Sequence, residues 1–491
     1  MIRNGWLDQR CRIQDHNSRV FRRTCLKALR LGCGAGYAGD RIEPAVDLAH
    51  RGRLDYLVFE CLAERTIALA QQSKLRDPEK GFDPLLEARM RSVLMPCAIQ
   101  GTKIITNMGA ANPFAAAKLT AAIAGELGLS HLRIAAVSGD DVLAQLLEIN
   151  PTMTESGKKL SDYGPNLVSA NAYLGVQPIV EALSHGADVV ITGRVGDPAM
   201  FLAAMVHHFQ WPMDDWDRLG QGTLVGHLLE CAGQVSGGYF AEPQHKPVPG
   251  LGRLGFPMAE VDSDGSATIT KLEGTGGCVT ERTCKEQILY EVHDPSQYLQ
   301  ADVIADFSKV RVEAIGFDRV RVTGAKGKKP TGMYKVSVGI RDGYMAEGMM
   351  SYAGPGAKAR AEWAADIVKE RLAIRGIWPE EIRYDLVGIN ALHGHLGQST
   401  ATETAKHAMT VSAESLCPYE LRLRVAARCR SESMAWDIVN EVETLYTNGP
   451  AGGGGAHRIV KEIIAVLSCL MPADSVQTQT YWFGDLSHLV P

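Results

Sequence analysis

The chain has 491 residues, 45% of them apolar, and a formal net charge of -5. That length exceeds one ordinary core and suits two or three domains, with enough apolar content to bury them. The small charge, with no segment that sets Lys and Arg beside stacking aromatics, excludes a nucleic-acid footprint, and no run of eighteen or more apolar residues offers a membrane-spanning helix. Eleven cysteines are scattered without a C-x-x-C pair or an even ladder of spacings, which points to a reducing cytoplasm and to no zinc finger.

Residues 1–26 set Arg3, Arg10, Arg12, Arg19, Arg22 and Arg23 among few apolar residues, the composition of a flexible basic arm. Five short apolar runs then follow: Leu29 to Gly32, Tyr56 to Phe59, Ile104-Ile105, Ile134 to Val137 and Val189 to Ile191. Each meets a polar or glycine-rich break and then helix-like sequence. The alternation predicts a parallel, Rossmann-like α/β domain over residues 27–235, with stretches such as Phe114–Leu127 and Val142–Ile149 as crossover helices. Ligands of such sheets bind outside the carboxyl ends of the strands, so the breaks are where a site is expected. After Ser236 the texture turns to Gly, Pro and alternating β-type runs, which predicts an α+β domain with mixed or antiparallel strands over residues 236–476. Within it Ala357–Arg375, Ser433–Leu445 and Ile459–Leu470 read as helices and Tyr384–Gly388 and Leu421–Ala427 as strands. Residues 477–491 read as an irregular tail.

The first break contains Gly34-Ala-Gly36-Tyr-Ala-Gly39, a formal G-x-G-x-x-G, and Glu60 ends the second strand where a ribose-binding acid would sit. Against a dinucleotide site stand Asp40, which would repel phosphate, and Pro44, which delays the helix; a plain tight loop is the alternative. Glu60, Glu64, Asp140 and Asp141 come from the ends of different strands. Gathered carboxylates shift one another until one holds its proton at neutral pH, although Asp140 or Asp141 also suits the cap of the helix that begins at Val142.

Arg194, in TGRVGDP, has the fork to clamp a carboxylate or to pair with Asp197. Asn107, in TNMGAANP, offers a donor to a carbonyl or enolate oxygen beside the amides of Met108 and Gly109, and equally suits a turn. Two further loops, Glu273-Gly274-Thr275-Gly276-Gly277 and Asn448 to Gly455 with Gly452, Gly453 and Gly454, invite close approach by a backbone or a ligand. The second, read as preceding a helix, would offer its amides to a carboxylate or phosphate. His393 and His395 lack a third ligand at a recognised spacing, so no metal site is assigned and no cofactor is identified.

The segments DYLVFECLAE (55–64), TNMGAANP (106–113), VSGDD (137–141), ITGRVGDPAMF (191–201), SGGYFAEP (236–243) and EGTGGCVTERTCKEQILYEVHDP (273–295), in this order, resemble the acyclic terpene utilisation family of AtuA-like proteins, formerly a domain of unknown function. The resemblance spans about residues 29–470 and implies an enzyme connected with branched terpenoid acids or their CoA thioesters. The expected chemistry is that of a hydro-lyase, a hydratase or dehydratase, in which Glu64, Asp140 or Asp141 moves the proton. Asn107 and the glycine-loop amides would hold oxyanion charge and Arg194 a remote carboxylate, while Gly34, Gly36, Gly109, Asp197 and the two later glycine loops bind substrate. The partner expected is a small-molecule carboxylate or acyl-CoA, and a homo-oligomer is the default for an enzyme of this size. An NAD(P)-dependent oxidoreductase, resting on the Gly34 loop and Glu60, and a non-catalytic acyl-binding subunit are the alternatives.

Overall fold

The five apolar runs are short, continuous and bounded by breaks, as strands buried on both faces must be, and they form the centre of the molecule. In the computed structural model, which describes residues 28–394 and 418–484, they are β1 (Leu29–Ala35), β2 (Tyr56–Phe59), β3 (Lys103–Thr106), β4 (Ile134–Ser138) and, after an intervening β5 (Leu167–Ala172), β6 (Val189–Thr192). They pair in parallel in the order β1-β2-β3-β6-β4. The crossovers are helical: α1 (Glu43–Arg51), α2 (Glu64–Arg76), α3 (Leu86–Gln100), α4 (Pro113–Glu126), α5 (Leu143–Ile149), α6 (Gln177–Ser184), α7 (Ala199–Phe209) and α8 (Trp216–Glu230). Local chemistry fixes their starts. In α4 the Asn112 side chain accepts from the Ala115 amide, Pro113 occupies the first turn, and Ala116, Ala117, Thr120 and Ala124 are buried.

The chain beyond Ser236 extends this same sheet. β7 (Pro257–Val261) runs antiparallel to β1, and β8 (Ala267–Lys271) follows it. After α9 (Glu281–Leu289) and two short strands, β9 (Tyr298–Leu299) and β10 (Ile304–Asp306), the hairpin β11 (Arg311–Gly316) and β12 (Arg319–Thr323) completes one edge. β13 (Lys326–Lys328) joins β10 and β9 in a small antiparallel sheet. A third sheet is built on the 21-residue β14 (Met333–Ala353). Its order is β15 (Glu381–Val387), β16 (Glu420–Cys429), β14 and β17 (Gly454–Pro472), with β5 paired to the first part of β14. Helices α10 (Ala357–Ile374) and α11 (Glu432–Glu443) cover it through a separate core that includes Met350, Tyr352, Leu423, Val425, Ile438 and Val442. The fold is thus mixed α/β, a parallel-centred sheet with helices followed by antiparallel sheets.

Two expectations are corrected. Ile459–Leu470 is not a helix but most of β17, where Ile459, Val460, Ile464 and Val466 pair along β14; a largely apolar stretch without strict alternation does not distinguish the two forms, and the waiting edge of β14 decides. Gln479–Phe483 of the expected irregular tail is β18, which closes the other edge of the large sheet against β4. The basic arm, His395 and the segment around His407 to Cys417 lie outside the described residues. Among those described, no helix is long and apolar enough to cross a membrane.

Candidate functional site

The carboxyl ends of β1, β2 and β6 open into a cavity of about 850 Å³, where a parallel sheet is expected to bind its ligand. Six carboxyl groups line it: Asp40, Glu60, Glu64, Asp197, Glu230 and Glu291. The Leu251–Phe256 segment contributes Leu251, Leu254 and Phe256, and Tyr290, Gln234 and the cation Arg41 also stand in the wall.

Glu60 and Glu64 stand four residues apart and are driven in opposite directions. Glu60 is buried, and Oε1 accepts from the Leu62 amide at 3.0 Å and from Asn107 Nδ2 at 2.9 Å. Among the described residues Oε2 has no partner. Burial, reinforced by the negative Asp197, pushes this carboxyl well above its ordinary range, so that it holds its proton. Glu64 opens α2 and is 39% exposed. It accepts from the Tyr173 hydroxyl at 2.5 Å and from Lys335 Nζ at 3.0 Å. Partial burial pushes it up, but the Tyr173 hydrogen bond and the charges of Arg194 and Lys335 outweigh this and hold it at about 2. Glu64 is therefore a fixed anion, and Glu60 is the group with a proton to give.

Arg194 sits behind this wall, 1% exposed, and is not among the residues that line the cavity. Its Nη2 donates to Asp197 Oδ1 at 2.7 Å, Nη1 donates to the Leu62 carbonyl, and the guanidinium lies 3.9 Å above the Tyr173 ring. The fork is thus turned inward to Asp197 and offers no clamp for a substrate carboxylate. Asp140 does not join the cavity either. Its Oδ2 accepts from the Arg194 amide and from Asn171 Nδ2, both at 2.9 Å, so it fixes the Arg194 loop; burial raises it to about 6. Asp141 is exposed and accepts from the Leu143 amide at the start of α5. Asn107 is spent on Glu60 and on the Cys61 amide, which donates to its Oδ1 at 2.7 Å; it positions the acid instead of holding an oxyanion.

The G-x-G-x-x-G loop borders the cavity at Gly36 and Gly39, and packing accounts for its first two glycines. A Cβ on Gly36 would lie 2.5 Å from the Cys231 carbonyl carbon at the end of α8, and Gly34 is still within β1, against the Phe59 ring. Asp40 fills the place of a phosphate: its carboxylate accepts from the Gly36 and Arg41 amides, both at 2.9 Å. Buried Arg89 donates to the carbonyls of Ala38 and Asp40 and pins the loop. Gly36→Ala is therefore expected to cost about 1–3 kcal/mol by overpacking, read in a urea titration, while NAD(P) leaves the melting temperature of the unaltered protein unmoved.

The other glycines are dispersed. Gly109 packs on the Thr192 carbonyl. Gly274, Thr275 and Gly276 do not line the cavity but brace the segment that does, through Gly276 N to the Arg253 carbonyl at 2.7 Å and Gly255 N to the Gly276 carbonyl at 3.0 Å. The Asn448 loop leads into a strand, so its amides do not open a helix. Asn448 Nδ2 donates to the Thr444 carbonyl, Gly453 packs on Tyr352, and Gly452 and Gly454 border a different cavity with Ser351 and Arg422.

Sequence reasoning missed Glu230, Glu291, Tyr173 and Lys335. Glu230 and Glu291 stand at and beyond helix ends, and Lys335 reaches the site from near the start of a strand distant in sequence. A second, apolar cavity of about 270 Å³ shares Leu62 with the first and is lined by Leu69, Ala70, Phe82, Met108 and Ala110. Among the described residues no three His, Cys, Asp or Glu side chains converge as metal ligands.

Among curated proteins, none matches the chain. The model of one protein family, Acyclic terpene utilisation family protein AtuA, matches residues 29–482. That span runs from the first strand of the large sheet to the last and takes in every wall of both cavities, so the chain belongs to the acyclic terpene utilisation family AtuA.

Proposed function

We propose that the acid-lined cavity hydrates, or in reverse dehydrates, a branched double bond of a terpenoid acid or its CoA thioester. Membership of the family implies a role in acyclic terpene utilisation, and the observation that supports this chemistry is the pair Glu60 and Glu64. One carboxyl is kept protonated and its neighbour kept ionised across one cavity, the separation of roles that acid catalysis needs. Glu60 would give its proton to the less substituted carbon of the double bond. Positive charge then develops on the tertiary carbon, where the Glu64 carboxylate stabilises it. Water adds there and surrenders a proton to the cavity wall, which balances the proton that Glu60 gave.

The ionised Glu64 beside the reacting carbons favours this cation-like route over an enolate, whose negative charge it would oppose. The apolar cavity beyond Leu62 suits the hydrocarbon part. At roughly 30 Å³ for each water-sized group it has room for about nine heavy atoms.

The test is incubation of the protein with branched unsaturated acids of up to about ten carbons and their CoA thioesters in ¹⁸O-labelled water, read by mass spectrometry. Incorporation of one labelled oxygen, greater for chains that fill the apolar cavity, is the expected result. A panel that raises the melting temperature without incorporation would instead favour a non-catalytic acyl-binding subunit.

A further inference from the structure

Two buried polar atoms at the end of α8 lack a partner among the described residues: Oε2 of Glu230 and Nε2 of His227. The two residues are three apart on one helix face and meet directly, Nδ1 of His227 standing 2.7 Å from Oε1 of Glu230. The imidazole is held against the rings of Tyr298 and Phe307, with centroids 5.2 Å and 6.0 Å away, and the Gln287 side chain donates to the His227 carbonyl at 3.0 Å. Glu230 lines the acid cavity, 5% exposed, and its second oxygen, itself shielded from solvent, has no hydrogen-bond partner among the described residues. A buried carboxyl with one oxygen fixed and the other unclaimed costs stability that packing alone does not require.

We propose that Glu230 is a catalytic residue of this site and His227 its positioning residue, the two acting as a relay for the proton of the attacking water. The inference rests on the hydratase reading given above. Before the step, the Glu230 carboxyl donates through Oε1 to Nδ1 of His227. As the water oxygen bonds to the tertiary carbon, its proton passes to Oε2 while the proton on Oε1 passes to Nδ1. The positive charge moves from carbon to imidazolium, and solvent returns that proton to the Glu60 carboxylate. Water is consumed, no electron is transferred, and both acids are restored.

The surroundings fit a pair that starts neutral. Burial, with Asp197 and Glu291 adding to it and Arg194 opposing, holds the Glu230 carboxyl well above its ordinary range. Burial lowers His227 to about 4. Cys231 and Tyr298, the remaining titratable neighbours, are both pushed up by burial and stay uncharged.

The experiment has two arms on the full chain. Imidazole-¹⁵N NMR of the unaltered protein should find His227 neutral from pH 5 to 8, as the Nε2–H tautomer, with an Nδ1 resonance that Glu230→Gln displaces. A His227 that titrates near its ordinary value of about 6.5, or an Nδ1 that ignores Glu230→Gln, overturns the pair. In the ¹⁸O assay, on a probe the unaltered protein hydrates, Glu230→Gln should lower kcat at least about 100-fold. His227→Asn should lower kcat about 10-fold with KM unchanged, and Glu230→Asp should recover part of the loss. Undiminished turnover in folded Glu230→Gln removes Glu230 from the catalytic residues. Should the unaltered protein hydrate no probe, the hydratase reading and the catalytic role fall together, while the NMR arm still decides the pairing.

Discussion

Glu60→Gln is expected to lower hydration by about 10²–10⁴-fold and to leave the protein folded. The amide oxygen can keep the hydrogen bonds from the Leu62 amide and Asn107 Nδ2, so the loop between β2 and α2 is held as before. What is lost is the proton that the Glu60 carboxyl holds at the cavity wall. The substitution also has a signature in stability, because a carboxyl whose folded pKa lies above its unfolded value of about 4.3 binds more protons in the native state between the two values. The unaltered protein therefore loses stability as pH rises through that window, and Glu60 contributes to the slope. Urea titrations at pH 5 and pH 8 should show a smaller loss across the interval in the Gln variant. Undiminished turnover would remove Glu60 as the acid, and an unchanged slope would mean that Glu60 is ionised in the folded protein.

Arg194→Met should be the most destabilising single change at the site, by about 3–5 kcal/mol, because it leaves the half-buried Asp197 carboxylate without its counter-charge and the Leu62 carbonyl without its donor. Asp197 loses its 2.7 Å ion pair, Glu60 loses the cation that opposes its own upward shift, and the Leu62 carbonyl and the Tyr173 ring lose their partner. The deficit should shrink in acid. With Arg194 gone, the folded pKa of Asp197, already raised by burial, rises further, so the native state takes up protons as pH falls and regains stability relative to the unfolded chain. Arg194→Lys should rescue little, since one ammonium cannot pair with Asp197, reach the Leu62 carbonyl and stack on Tyr173 together. Denaturant midpoints of both variants at pH 5 and pH 8 measure the effect, and a loss below about 1 kcal/mol in the Met variant at pH 8 would contradict the account.

The parallel strands were legible because a strand covered by helices on both faces is apolar throughout and ends where a helix or loop must begin. The same physics placed Glu60 at a strand end, since it follows β2 directly, and Glu64 and Asp197 in the breaks five residues beyond β2 and β6. It did not reach β17, whose apolar residues from Ile459 on, broken only by Lys461-Glu462 and Ser468, keep no strict alternation and whose length is that of a helix. Nor did it separate the carboxylates. Asp140 follows its strand as Glu60 does, yet it turns toward the Arg194 amide while Glu60 borders the cavity, a difference set by the neighbouring loops and not by either residue's own surroundings in sequence. His227 and Glu230 lie in a helix that is buried almost all round, so nothing in the local pattern marks them off from core.

The long strand β14 has a consequence for how this protein can be taken apart. Its first half pairs with β5 and bears Lys335, the cation on Glu64, and Ser337, whose hydroxyl donates to Tyr173; its second half is the spine of the separate core under α10 and α11. A truncation before Met333 would strip the cation from the site and bare the backbone amides of β5, an invitation to pair with another chain. The carboxy-terminal sheet is therefore not a detachable appendage, and gene fusions or fragments that treat it as one should yield insoluble protein instead of a smaller folded domain.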